Sequence, residues 1–164
     1  MINLQIREAG IKDITLIQRL TYAIWPVTYS SILSQQQMAY MLELIYSNAS
    51  LQKQMQEGHH FLIVEEEGEA VAFADYGLLK KGVYKLHKIY VHPNRQGKGI
   101  GRLLIDHIVE IIKKQQASSL LLNVNRNNKA KGMYERLGFT VIGEEDIDIG
   151  AGYFMNDYIM EKKL

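Results

Sequence analysis

The start of the chain changes from an alternating to a helical pattern of apolar residues. Residues 2–9 (INLQIREA) alternate apolar and polar side chains, which predicts a half-buried strand. Apolar residues then recur at helical spacing and predict a helix from Ile11 to about Thr28, with a stripe formed by Ile14, Ile17, Leu20 and Ile24. Pro26 has no backbone N–H, so it should end or kink this helix near Trp25.

The following segment is rich in helix formers. Ser34 is a suitable N-cap, and residues 34–47 are predicted to form a second helix. Residues 48–58 fit a short helix or an irregular linker equally well.

Three strands are predicted next. HFLIVEE (60–66) and EAVAFADYGLL (69–79) are separated by a short polar segment in which Gly68 suits a tight hairpin turn. GVYKLHKIYVHP (82–93) stops at Pro93, which cannot donate to a sheet ladder.

The second half begins with a glycine-rich turn that leads into an amphipathic helix. The apolar face of this helix comprises Leu104, Ile105, Ile108, Val109, Ile111 and Ile112, as expected for a helix lying on a sheet. The almost wholly apolar segment SLLLNV (119–124) predicts a strand covered on both sides.

A short helix and two strands complete the pattern. NNKAKGMYERLGF (127–139) predicts a helix closed by Gly138 at its C′ position, and FTVIGEE (139–145) and GYFMNDYIMEK (152–162) predict paired strands. The acidic run EEDID (144–148) is predicted to be a solvated loop. The predicted order is β-α-α-β-β-β-α-β-α-β-β, an α/β arrangement in which helices pack on a mixed sheet.

Composition narrows the classes of protein. A length of 164 residues predicts a single domain over 1–164. The absence of cysteine excludes disulfides, thiolate catalysis and cysteine-ligated metals. The net charge of +1 gives no strong electrostatic field that would attract nucleic acid or a membrane surface. No apolar run approaches the ~20 residues of a membrane span. The N-terminal segment does not resemble a signal peptide, because charged residues interrupt its apolar residues. We therefore expect a soluble, cytoplasmic protein with a small-molecule partner.

The glycine turn VHPNRQGKGIGRLL (91–104) is the clearest candidate for a ligand site. Gly97, Gly99 and Gly101 let the backbone approach a ligand, and the N-terminus of the following helix suits phosphate oxygens. Lys98 and Arg102 can add charge-assisted bonds. A connector without a ligand is the alternative. A Walker loop fails because Ser or Thr does not follow Gly97-Lys98, and a Rossmann fingerprint fails because Arg102 stands at its third glycine.

Two motifs in this region resemble those of a known family. Gln96-x-x-Gly99-x-Gly101 follows a strand that ends IYVHP, and Asn127-x-x-Ala130-x-x-x-Tyr134-x-x-x-Gly138-Phe139 follows downstream. Both resemble the cofactor motifs of GCN5-related N-acetyltransferases (GNAT), whose fold also matches the predicted element order. Within that family the second half of the chain looks most similar to bacterial acetyltransferases of the spermidine/spermine type.

The resemblance implies an acetyl-CoA-dependent N-acetyltransferase with a sheet of about seven strands and about four helices, splayed between its fourth and fifth strands. The implied cofactor-binding residues are Ile89, Tyr90, Val91, Gln96, Gly97, Lys98, Gly99, Ile100, Gly101, Arg102, Asn127 and Tyr134. The main chain near Ile89 and Val91 would pair with the pantetheine arm, and the pyrophosphate would bind the amides of residues 96–102. The acceptor would be a small-molecule or peptide amine, and a homodimer is compatible with the resemblance.

The resemblance also suggests catalytic residues. Tyr134 is the candidate acid for the departing thiolate; the alternative is a tyrosine that only packs in the core. Many members carry a glutamate where this chain has His87, so His87 is the candidate base, and a strand histidine satisfied by a neighbour is the alternative. Without cysteine or an activated serine, the amine would attack directly in a ternary complex.

The remaining candidates come from the early helices and from isolated polar residues. Trp25, Tyr29 and Tyr40 are candidates for lining the amine pocket, with core packing as the alternative. Asp75, Asp148 and Asp157 are interpreted as surface carboxylates that could attract a polycation, His92 as a flank of the glycine turn, and His59-His60 as lacking the partners of a metal site. An acyl-CoA sensor without turnover and a nucleotide-binding protein are the alternative functions.

Overall fold

The computed structural model describes residues 3–164. The strands are β1 (Leu4–Ala9), β2 (His60–Glu66), β3 (Glu69–Lys80), β4 (Val83–Val91), β5 (Ser119–Asn125), β6 (Thr140–Gly150) and β7 (Tyr153–Lys163). The α-helices are α1 (Ile14–Tyr29), α2 (Gln35–Tyr46), α3 (Asn48–Gln56), α4 (Ile100–Lys114) and α5 (Ala130–Arg136). Short 3-10 helices cover Ile11–Asp13 and Pro93–Arg95.

The strands form one mixed sheet in the order β1-β2-β3-β4-β5-β7-β6. Only β4 and β5 are parallel among the described strands, because α4 carries the chain back across the sheet between them. The predicted α/β fold with a mixed seven-stranded sheet is confirmed. Residues 48–56, for which the sequence left a helix and a linker open, form α3. The described part of the chain therefore has five α-helices, one more than expected.

The two parallel strands separate after a short paired section. Val83 to Leu86 pair with Ser119 to Leu122, and no further pair joins β4 to β5 within residues 3–164. Both strands continue past this point, β4 to Val91 and β5 to Asn125. The sheet therefore opens at its centre into a gap, as the predicted splay between strands 4 and 5 requires.

Each face of the sheet carries its own buried apolar cluster. On one face α4 and α5 cover the cluster that includes Leu104, Ile108, Leu122 and Met160. On the other face α1, α2 and α3 cover the cluster that includes Ile17, Ile24, Leu51 and Phe73. Alternate side chains of the central strands enter opposite clusters. Both faces of the sheet are therefore covered by helices.

Helix α1 does not end at Pro26, which was one of the two outcomes predicted for it, and it continues to Tyr29. Pro26 and Tyr22, one turn earlier, are both exposed, so water can satisfy the Tyr22 carbonyl that lacks its helical donor. The Ser30 N–H still donates to the Pro26 carbonyl at 3.2 Å. The cost of the proline is therefore small on this solvent-facing side.

The acidic run 144–148 is not a loop, contrary to the prediction. It lies inside β6 and pairs with residues 154–158 of β7. Its carboxylates stay exposed because β6 is an edge strand, where charged side chains are common.

The predicted first strand reaches Ile2, which lies outside the described residues, and its remaining part forms β1. None of the helices within residues 3–164 is both long and apolar enough to cross a membrane.

Candidate active site

The glycine turn presents a row of free main-chain N–H groups at the start of α4. Gly97 and Gly99 have φ angles of 78° and 80°, in the left-handed region that favours glycine, and Gly99 is the N-cap of α4. An added Cβ at either position would meet nothing within 4 Å. No acceptor within residues 3–164 takes the N–H groups of residues 96–102. The turn is therefore shaped by backbone conformation and left open to an anion.

Three side chains fix the conformation and position of the turn. The Gln96 side chain donates to the Val91 carbonyl at 3.2 Å. Arg95 forms an ion pair with Glu66 of β2. His92 accepts a hydrogen bond from the Asn94 N–H at 3.2 Å through Nδ1, so its role as a flank of the turn is structural. Lys98 and Arg102 remain exposed beside the free N–H groups.

The glycine turn opens onto the gap between β4 and β5. Beyond Leu86 the edge of β4 that faces β5 has no strand partner among the described residues, and Ile89, Tyr90 and Val91 lie along this section. An extended chain can pair with such an edge as an additional strand does. A diphosphate at the turn and an extended tail along β4 would thus fit in one continuous site.

Helix α5 brings the second motif to the first. The closest atom to a Cβ placed on Gly101 is the Met133 sulfur at 3.4 Å, so the start of α4 packs directly against α5. Tyr134 is 7% exposed, and its ring packs edge-on against Phe139 with centroids 5.9 Å apart. Asn127 is exposed in the loop before α5, where its N–H donates to the Asn125 side chain at 2.9 Å.

Tyr134 keeps its proton and has a free hydroxyl. Burial raises the pKa of Tyr134, and the nearby Tyr29 raises it further. The hydroxyl makes no hydrogen bond to any other described residue. A neutral phenol with an uncommitted hydroxyl is suited to give a proton to a thiolate.

Three aromatic rings join α1 to β4 on the face of the sheet that α1, α2 and α3 cover. The Tyr29 and Tyr90 hydroxyls are 2.9 Å apart. The Trp25 ring lies 4.8 Å from that of Tyr29 and 6.0 Å from that of Tyr90, between centroids. Trp25 is only 2% exposed and belongs to the core, whereas Tyr29 is half-buried. Tyr40 ties α2 to the β6–β7 turn by donating to the Ile149 carbonyl at 2.6 Å.

His87 occupies a bulge in β4. The register pairs Tyr76 with Leu86 and Asp75 with Lys88, which leaves His87 without a partner on β3. One side of the imidazole reaches solvent, and the other stacks on the His59 ring with centroids 4.1 Å apart. Desolvation by its neighbours lowers the pKa of His87 to about 4, and the positive charge of Lys88 acts in the same direction. His87 is therefore neutral near pH 7.

A buried charge network lies beside His87, and the sequence did not predict it. Asp75 is fully buried rather than on the surface, and its Oδ2 accepts hydrogen bonds from Lys88 (2.8 Å) and from His59 (2.6 Å). Lys88 also donates to Gln54 at 2.6 Å. Burial alone would raise the pKa of Asp75, but the His59 hydrogen bond and the Lys88 charge hold it below its ordinary value. The sequence feature that could have indicated this buried network is the single aspartate, Asp75, within the apolar run AVAFADYG.

Asp157 is likewise buried, at 3% exposure, contrary to the surface position predicted for it. Its Oδ2 accepts one hydrogen bond, from the Asn123 side chain at 3.3 Å, and burial raises the pKa of Asp157. Asp148 is exposed, and its carboxylate accepts the Gly150 N–H at 2.9 Å at the end of β6. In the described part of the chain, no group of three or more metal-ligating side chains comes together.

Comparisons with known proteins decide the family. The sequence matches the family model described as Acetyltransferase (GNAT) domain over residues 30–156. The chain belongs to the GNAT family. Its fold superimposes with a TM-score of 0.84, at 26% identity and over 99% of both chains, on the PaiA N-acetyltransferase of Thermoplasma acidophilum in complex with coenzyme A.

Relatives of the GNAT chain act on different acceptors. A peptidyl-lysine N-acetyltransferase of Salmonella typhimurium is 30% identical over 57% of this chain and 59% of its own length. An L-methionine sulfoximine/L-methionine sulfone acetyltransferase of Pseudomonas paraeruginosa is 26% identical over 85% of this chain and 81% of its own length. The chain is an acetyl-CoA-dependent N-acetyltransferase. The finer resemblance to spermidine/spermine enzymes is not confirmed, because these relatives have other acceptors.

Proposed function

We propose that this GNAT enzyme transfers the acetyl group of acetyl-CoA to a primary amine of a small molecule, polyamine or peptide by direct attack in a ternary complex. The observation that carries the proposal is the row of free N–H groups at residues 96–102 beside the unpaired edge of β4. Relatives named for peptidyl-lysine and for methionine sulfoximine support an amine acceptor.

The donor would lie across the glycine turn and the gap. The pyrophosphate accepts hydrogen bonds from the main chain of residues 96–102, with Lys98 and Arg102 adding charge-assisted bonds. The pantetheine arm pairs with the main chain from Ile89 to Val91, and Asn127 reaches it from the loop before α5. This arrangement brings the thioester close to Tyr134.

The transfer removes two protons from the ammonium nitrogen, one before the attack and one as the amide forms, and supplies one to the departing thiolate. An alkylamine with a pKa near 10.4 is only about one part in 10³ neutral at pH 7, a penalty of roughly 4 kcal/mol. The ammonium loses a proton to the site, its nitrogen attacks the thioester carbon, and the bond between that carbon and sulfur breaks. Tyr134 gives its phenolic proton to the departing thiolate, the new amide nitrogen releases its second proton to water, and Tyr134 regains a proton from water.

His87 contributes as a neutral hydrogen-bond acceptor. With a pKa of about 4 it holds a proton weakly, so it passes the proton to water rather than keeping it. A limb of the pH–rate profile that belongs to His87 would then lie near pH 4 rather than near neutrality. The alternative of a silent acyl-CoA sensor is less favoured because Tyr134 retains a free, protonated hydroxyl.

An acceptor screen tests the proposal. The protein is first titrated with CoA by calorimetry and then incubated with acetyl-CoA and a panel of polyamines, amino acids, aminoglycosides and lysine peptides, with free thiol as the readout. Saturable CoA binding and amine-dependent thiol release are expected. An absence of CoA binding, or thiol release that no amine accelerates, would overturn the proposal.

A further inference from the structure

Asp157 is a buried carboxylate of β7 that lies beside the gap. Along β7, Met155 packs in the cluster under α1, α2 and α3, whereas Tyr158 and Met160 pack on the α4 side. Because side chains alternate along a strand, Asp157 shares the face of Met155. It is paired with Asn125 of β5, at the end where β5 has separated from β4.

The carboxylate lacks the partners that burial normally requires. Its one hydrogen bond in the described part of the chain is the 3.3 Å contact with Asn123. Arg126 donates to the main-chain carbonyl of Asp157 and forms its ion pairs with Glu144 and Asp146. Burying a carboxylate costs several kcal/mol unless charge or hydrogen bonds compensate, so an under-satisfied one is a candidate for ligand binding.

The surroundings of Asp157 suit a cation. Tyr29 and Tyr90, whose hydroxyls are 2.9 Å apart, pack with Met155 in the cluster under α1, α2 and α3, on the face that Asp157 shares. The other charged groups near Asp157 are Lys85 on β4, Arg126 after β5 and Glu145 on β6.

We propose that Asp157 binds the ammonium group of the acceptor amine. The inference rests on the proposed function, and it assigns the acceptor to cationic primary amines rather than to uncharged or anionic ones. The ammonium supplies the hydrogen bonds and the positive charge that the buried carboxylate lacks. Tyrosine ring faces beside it add a further attraction for a cation.

Calorimetry on protein saturated with CoA tests this assignment. The probes are n-butylammonium and butane-1,4-diammonium, with butan-1-ol as the uncharged counterpart. The variants are Asp157→Asn, which keeps the shape and the Asn123 contact, and Glu110→Gln, which removes an exposed carboxylate from α4 on the other side of the sheet. Wild type and Glu110→Gln should bind both ammonium ions, and Asp157→Asn should bind them about tenfold more weakly or worse.

The outcomes separate this inference from the proposed function. If the wild type fails to bind CoA, the proposed function fails before any amine is added. If CoA binds but the wild type binds neither ammonium ion, or Asp157→Asn binds them equally well, the inference is overturned. Asp157→Asn should keep CoA affinity and thermal midpoint, and a loss of either would indicate a structural role instead.

Discussion

Replacing Gly99 with alanine tests the glycine turn, and Gly152→Ala provides a matched control. The φ angles are 80° at Gly99 and 81° at Gly152, and at both positions an added Cβ meets nothing within 4 Å. A non-glycine residue in the left-handed region costs about 1–2 kcal/mol. Both variants should therefore lose the same stability, roughly 2–8 °C in Tm for a chain of this size.

Only Gly99→Ala should lose affinity for CoA. Gly99 lies in the row of free N–H groups, whereas Gly152 lies in the turn between β6 and β7. A Cβ at the N-cap of α4 stands where the diphosphate must approach, and the loss of one charge-assisted hydrogen bond is worth about 1.5–3 kcal/mol, or roughly ten- to 150-fold in Kd. Isothermal titration with CoA measures this difference, and urea unfolding measures the stability of both variants.

Equal CoA affinity in the two alanine variants would refute the assignment of the anion site to this turn. A much larger loss of stability in Gly99→Ala than in Gly152→Ala would contradict the geometric reasoning, because both sites offer the same open space.

Three further predictions concern the groups around the gap. Tyr134→Phe should lower kcat by about 10²–10⁴ while leaving CoA affinity and Tm unchanged, and unaltered turnover would reject its role as the acid. The folded pKa of His87 lies below the ordinary 6.5, at about 4. The unfolded state therefore binds the proton first, and stability should fall as pH drops through this interval. His87→Gln should flatten that fall in urea unfolding measured at several pH values. Lys88→Met should cost about 3–5 kcal/mol by leaving Asp75 without its cation, and the double variant with Asp75→Asn should cost less than the sum of the single variants.

Local chemistry made much of the fold predictable. The hairpin at Gly68 is confirmed, with φ angles of 52° at Glu67 and 81° at Gly68 that match a tight two-residue turn. Gly138 closes α5 with a φ angle of 96°. Such residues specify a backbone conformation within a few positions, so the sequence carries the information directly.

Long-range pairing limited the prediction of the site. The Asp75–Lys88 ion pair depends on the register between β3 and β4, and the bulge at His87 shifts that register by one residue. The burial of Asp157 depends on which face of β7 turns toward α1, which no local pattern specifies. The sequence could name His87 as a candidate base, because imidazole can accept a proton near pH 7. It could not predict the low pKa of His87, which arises from desolvation and from charged neighbours in the folded structure.

The short pairing of β4 with β5 makes this contact the weakest between neighbouring strands of the described sheet. Among the described residues, four residue pairs between strands join the half formed by β1 to β4 to the half formed by β5 to β7. Amide hydrogens along this boundary should exchange with solvent sooner than those at the antiparallel contacts, since fewer bonds must break to open it. A donor molecule lying in the gap would bridge the two halves, so the same opening that admits acetyl-CoA makes the rigidity of the whole sheet depend on its occupancy.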